Sequence, residues 1–172
     1  MKSNVLFMMI LYCLFMLPSF LYPVKNAVGI GGYFPLNIIG NPNADFLISG
    51  VDISYERAFK DKLSIKLSFI NDFHTEKSLE LYGKYFAGLQ AGARFYPVGQ
   101  GFNSIFAGGG VAVTTDLNEL SPSLIIETGG KYIIESLGNI YIEPSILLPL
   151  IFYESGVKSD GIRICLRTGF AF

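Results

Sequence analysis

Charged side chains are scarce in this sequence, and they recur at even spacings. They form 16% of its 172 residues. Within apolar runs stand Asp52 and Glu56, Lys66, Glu80 and Lys84, Arg94, Glu127, Lys131 and Glu135, Glu143, Arg163 and Arg167. Two chemistries would use such a set. Carboxylates sharing one face, as Asp52 and Glu56 do, could perform acid–base work. Six acids against six bases is, however, a balanced set. Charges in a low-dielectric interior persist only when paired and hydrogen-bonded. Cationic neighbours therefore explain the carboxylates more simply, and we expect an internal salt-bridge network that fixes strand register. A polar path, in which a rearranged pair passes small solutes, is the alternative.

The other reactive residue types give little to build on. His74 is the only histidine and falls in a predicted loop between Phe73 and Thr75, remote from any serine elbow. Cys13 and Cys165 show no metal-ligand spacing, and Cys13 lies in the N-terminal apolar run. Gly108-Gly109-Gly110 lacks the following Lys-Ser/Thr of a phosphate loop. No enzyme, cofactor or metal is expected. A formal net charge of −1 gives no field for nucleic acid.

The elements that must carry these charges read as strands. From 162 to 172, Ile162, Ile164, Leu166, Thr168, Phe170 and Phe172 alternate with Arg163, Cys165, Arg167, Gly169 and Ala171. Leu63, Ile65, Leu67 and Phe69 likewise oppose Ser64, Lys66 and Ser68. A helix would scatter the charges around its circumference, whereas period-two alternation sorts them to one side. The same reading gives about eight strands, at 25–34, 46–58, 63–70, 79–96, 104–114, 123–135, 140–150 and 161–172. Short links at 59–62, 97–103 and 136–139 alternate with longer ones at 35–45, 71–78, 115–122 and 151–160. Pro144 and Pro149 each lack a ladder donor, so the seventh strand is expected to bulge near Pro144 or to be shorter.

Only one segment is apolar enough for another role. Lys2 precedes an apolar run from Val5 to Tyr22, broken at Pro18. This reads as a secretory signal peptide over 1–19, cleaved between 19 and 24, with residues 20–172 as the mature domain. Two rival readings are a lipoprotein at Cys13, where Tyr12 stands in place of the small residue it needs, and an uncleaved helical anchor, since the run nearly reaches the ~20 residues a span needs. With no later helical span, a membrane would have to be crossed by strands.

Alternation alone also describes a soluble barrel with its apolar face inward. Three features point outward instead. The apolar face is almost free of charge, and the polar face is rich in Gly, Ser and Ala, suiting a crowded eight-stranded interior. Aromatics gather at strand ends: Tyr33, Phe34, Phe69, Phe152 and Tyr153 at one rim, Tyr55, Phe59, Phe95, Tyr96, Phe102, Tyr141 and Phe172 at the other. The expected fold is all-β: a closed, antiparallel, up-and-down transmembrane barrel of about eight strands.

The ending Thr168-Gly169-Phe170-Ala171-Phe172 resembles the C-terminal insertion signal of bacterial outer-membrane proteins. The run from Gly92 to Gly101, followed by Phe106-Ala107-Gly108-Gly109-Gly110, resembles a strand–turn–strand of small OmpA-like and OmpW-like barrels. The resemblance implies residence in the bacterial outer membrane, contact with its lipid, and insertion by the barrel-assembly machinery, with Phe170 and Phe172 in the signal. It further implies either a narrow or gated channel for small solutes or a non-conducting surface barrel whose loops bind host or environmental ligands.

Overall fold

The computed structural model describes residues 25–36, 49–73, 85–98, 102–115, 120–153, 156–159 and 161–172. The expected leader, together with His74, Glu80 and Lys84, lies outside them.

Among the described residues nine antiparallel strands follow one another: β1 Asn26–Pro35, β2 Gly50–Lys60, β3 Leu63–Phe73, β4 Tyr85–Phe95, β5 Ser104–Thr115, β6 Leu120–Ile134, β7 Ile140–Tyr153, β8 Gly156–Ser159 and β9 Arg163–Ala171. Each pairs with the next as far as β8, and the ring closes because β9 bonds both β7 and β1. β8 and β9 lie on the same edge of β7, at Leu150–Tyr153 and Ile140–Leu147 respectively. They form one stave with a register step: Leu150 to Leu147 is three residues on β7, while Ser159 to Arg163 is four opposite it. The molecule is thus a closed, antiparallel barrel of eight staves.

Why these residues form strands is visible in their exposure. Along β2 burial alternates residue by residue, with Asp52, Ser54 and Glu56 buried and Val51, Ile53 and Arg57 exposed. Extended backbone sends successive side chains to opposite faces. Here the polar set goes in and the apolar set out.

The register fixes the barrel's slant. Cross-strand neighbours run Gly29–Ser54–Ser68–Gln90–Ala112–Ser123–Ile151. Four residues back along β7, Leu147 faces Arg163, which faces Pro35. One circuit therefore advances six residues along β1, from Gly29 to Pro35, plus those four, a shear of ten. Eight strands so staggered tilt by about 40° from the axis. At ~3.3 Å per residue, an 11-residue stave then rises about 25–28 Å.

Several boundaries differ from the sequence reading. β3 runs to Phe73 rather than residue 70, and β6 starts at Leu120 rather than 123. Thr115 pairs with Leu120, so the connection expected over 115–122 shrinks to 116–119. Most of the expected link at 151–160 is the β7–β8 hairpin. The longer connections opposite the termini are therefore two, 36–49 and 74–84. No register shift occurs at Pro144. β7 is longer than expected, and the pairs Gly129–Ser145 and Tyr132–Ile142 keep one register on either side. The missing N–H interrupts only the ladder to β6, while Pro144 still faces Leu166 of β9.

Candidate functional site

The lumen is where the sequence's charges meet. Asp52 and Glu56 come from β2, Lys66 from β3, Arg94 from β4, Glu127 and Lys131 from β6, Glu143 from β7 and Arg167 from β9. Each is at most 5% exposed. Four cations face four carboxylates in one connected network.

Arg94 is its hub. Its Nε donates to Glu127 Oε1 at 2.6 Å and its Nη2 to Glu127 Oε2 at 3.1 Å. Nη1 donates to Glu56 Oε2 at 2.7 Å and Glu143 Oε2 at 3.0 Å, and Nη2 also to Glu143 Oε1 at 2.7 Å. Three carboxylates thus occupy the planar fork of one guanidinium, whose face lies 4.0 Å from the Phe106 ring centroid. Arg167 grips Asp52 through Nη2 at 2.7 Å and Nε at 3.2 Å, and its Nη1 donates to Glu143. Lys131 donates to Glu56 at 2.5 Å and lies 3.1 Å from Glu143. Lys66 donates to Glu127 at 3.2 Å. Ser64 and Tyr96 donate to Glu56 Oε1, the latter at 2.6 Å.

Glycine makes room for this density at one close approach. A Cβ on Gly31 would stand 2.3 Å from Asp52 Oδ1 and 3.2 Å from Arg167 Nε. No side chain larger than hydrogen fits there without moving the pair.

Below the network, at the end holding the termini, aromatics fill the bore. Tyr96, Phe102, Phe106 and Tyr141 form a buried cluster with Ala27, Ala58 and Ala171. Lys131 Nζ lies 4.6 Å from both the Phe102 and Tyr141 ring centroids, giving cation–π contact on two sides. Above the network sit Tyr33, Ile70, Ala112, Ile125, Leu147 and Cys165, then the buried Arg163–Asp72 ion pair.

Nine of the twelve expected lumen residues are brought inside: the eight of the network and Arg163. Glu135 is not among them. It opens a 3-10 turn, Glu135–Leu137, and is exposed, because β6 ends at Ile134 and alternation ends with it. Glu80 and Lys84 fall outside the described residues. Asp72 was missed, having been assigned to a loop. The signal was present, since Asp72 continues the parity of Lys66, Ser68 and Ile70. Tyr33, Tyr96, Phe102 and Tyr141, expected at the rims, are buried inward at 1–3% exposure. Among the described residues, Phe59, Phe69, Phe95, Tyr132, Phe152, Phe170 and Phe172 are the exposed aromatics. Phe172 also joins the barrel's ends, its carbonyl accepting from Lys25 and Asn26 at 3.1 and 2.8 Å. Cys165 is fully buried.

Every carboxylate in the network meets a cation, and among the described residues no group of His, Cys, Asp or Glu is arranged to hold a metal ion.

No protein-family model and no curated protein matches the chain. Among solved structures, Ail, the attachment invasion locus protein of Yersinia pestis, overlays 88% of this chain and 100% of its own at a TM-score of 0.42 and 15% identity.

Proposed function

We propose that this chain is an integral barrel of the bacterial outer membrane with a sealed lumen, a rigid scaffold that presents the connections 36–49 and 74–84 at the cell surface. One observation carries the reading: the barrel's polarity is inside out. Eight paired charges fill the bore, while the outer wall is bare apolar surface, with Leu89 68% exposed, Val111 60%, Ile53 59% and Ile30 56%. A soluble barrel needs the reverse. In water this wall would far exceed the few hundred Å² of apolar patch that soluble monomers tolerate. A stave height of about 25–28 Å matches the ~25 Å apolar band of outer-membrane barrels. In this account residues 1–19 direct export, the assembly machinery reads the C-terminal strand, and lipid is the main partner. Host or environmental ligands would meet the surface connections. The barrel has no catalytic role.

The packing supports the sealed reading. Arg94 with its three carboxylates crosses the bore, and Phe102, Phe106 and Tyr141 close it beneath. Passage of an ion would require breaking several buried pairs at once, each at a cost of several kcal/mol.

Conductance across planar bilayers tests this, using mature chain refolded in detergent and shown to be folded by a heat-dependent gel shift. Folded protein without discrete current steps is expected. Reproducible steps whose ion selectivity changes on charge reversal at Arg94 or Arg163 would replace the sealed scaffold with a narrow channel.

A further inference from the structure

The lumen is not filled along its whole length. Between the network and the Arg163–Asp72 pair lies a cavity in which a water-sized centre can move over about 40 Å³. Its walls include Ile70, Ala112, Ile125, Leu147 and Ile151, with Tyr33 buried beside them. One water needs roughly 10–15 Å³ by this measure, so there is room for about three, or for a short chain of comparable girth.

The polar atoms around its base are unusual. The hydroxyl of Tyr33 and those of Ser68 and Ser145, with Gln90 Oε1, are buried and meet no hydrogen-bond partner among the described residues. Only Tyr33 among them lines the cavity; Ser68 and Ser145 lie one inward step below its wall, and Gln90 is level with Ala112. Ser68 precedes Ile70 on β3, Ser145 precedes Leu147 on β7, and Gln90 faces Ala112 across the β4–β5 ladder. A buried polar group left unpaired is costly, so the Tyr33 hydroxyl, which lines this cavity, calls for a partner there. That partner needs no charge, because the four cations below are matched by four carboxylates and Arg163 is matched by Asp72.

We propose that this cavity binds a small uncharged amphiphile: a short unbranched alkyl chain ending in a group that both donates and accepts hydrogen bonds, a primary alcohol being the simplest case. The chain lies against the Ile and Leu walls. Its hydroxyl accepts from Tyr33, which lines the cavity. The site goes beyond the scaffold role and does not depend on whether the surface connections bind a partner.

The test uses the whole barrel in lipid nanodiscs with 13C-labelled isoleucine methyls, titrated with 1-pentanol. Ile70, Ile125 and Ile151 report the cavity, while Ile53, Ile126 and Ile142 on the outer wall report alcohol partitioned into lipid. Saturable shifts at the first three, with outer-wall shifts rising linearly, are expected. Tyr33→Phe should weaken the saturable phase roughly five- to tenfold, the loss of one hydrogen bond. Ala112→Leu, its fold checked by the gel shift, should abolish it. Cavity methyls that stay still, or that track the outer wall, would overturn the proposal. So would a Tyr33→Phe barrel titrating like the parent, or cavity methyls showing cross-peaks to water and none to alcohol.

Discussion

Replacing Arg94 with methionine removes one positive charge and leaves three carboxylates that had shared it. Glu127 keeps Lys66 at 3.2 Å, Glu56 keeps Lys131 at 2.5 Å, and Glu143 keeps Arg167 and Lys131. The network then holds four carboxylates against three cations, one uncompensated charge among side chains at most 5% exposed. Removing one partner of a buried pair costs about 3–5 kcal/mol, and a cation serving three anions belongs at the upper end. Lys66→Met, which strands only part of Glu127's pairing, belongs at the lower end. Adding Glu127→Gln to Arg94→Met restores neutrality and should recover more than half of the loss. Reversible urea unfolding in lipid vesicles measures all three, followed by far-UV circular dichroism because the chain has no tryptophan. A loss below about 1 kcal/mol for Arg94→Met, the range of exposed pairs, would refute the buried-network reasoning. So would a double variant no better than the single.

Other consequences are as definite. Leu89→Lys places a charge on the outward wall and should cost about 2–4 kcal/mol in the same vesicle assay, where a water-facing site would be near neutral. Gly29→Ala should destabilise by about 1–3 kcal/mol or block folding. Its Cβ would stand 1.9 Å from the Tyr141 hydroxyl and 2.7 Å from the Thr168 carbonyl. Gly109→Ala, where the nearest atom is 3.5 Å away, should change the unfolding midpoint little. Raising salt from low concentration to 1 M should leave the cost of Arg94→Met nearly unchanged, since buried pairs are weakly screened; a cost falling to near zero would place the pairs in water.

Much of this barrel was legible in the sequence because its physics is local. Period two sorts residues without knowledge of their neighbours, and Asp52, Glu56, Lys66, Arg94, Arg163 and Arg167, which fall on the polar parity of their strands, are all buried. What failed was the treatment of ends. Asp72 and Ser121 look like loop residues by type, yet pairing with Gly50 and Thr114 keeps them in the ladder. Pairing partners lie far away in sequence, and no local pattern states how far they extend. Glu135 failed the opposite way, extending alternation one residue past the last pair. Aromatic type misled at Tyr96, Phe102 and Tyr141. Residue type does not separate rim from lumen aromatics; the partners do, Lys131 for Phe102 and Tyr141 and Glu56 for Tyr96. That Arg94 would gather three carboxylates could not be read, because the shear that brings β2, β6 and β7 opposite β4 is a property of the closed ring.

The inside-out wall is most directly tested by spin labels placed singly along β4, from Phe86 to Phe95, in a Cys165→Ser background within lipid bilayers. Accessibility to oxygen, which concentrates in the bilayer, should peak at Ala87, Leu89, Ala91 and Ala93 and fall at Gly88, Gln90 and Gly92. Labels that show no alternation, or that favour a water-soluble reagent over oxygen at Leu89 and Ala91, would contradict the account.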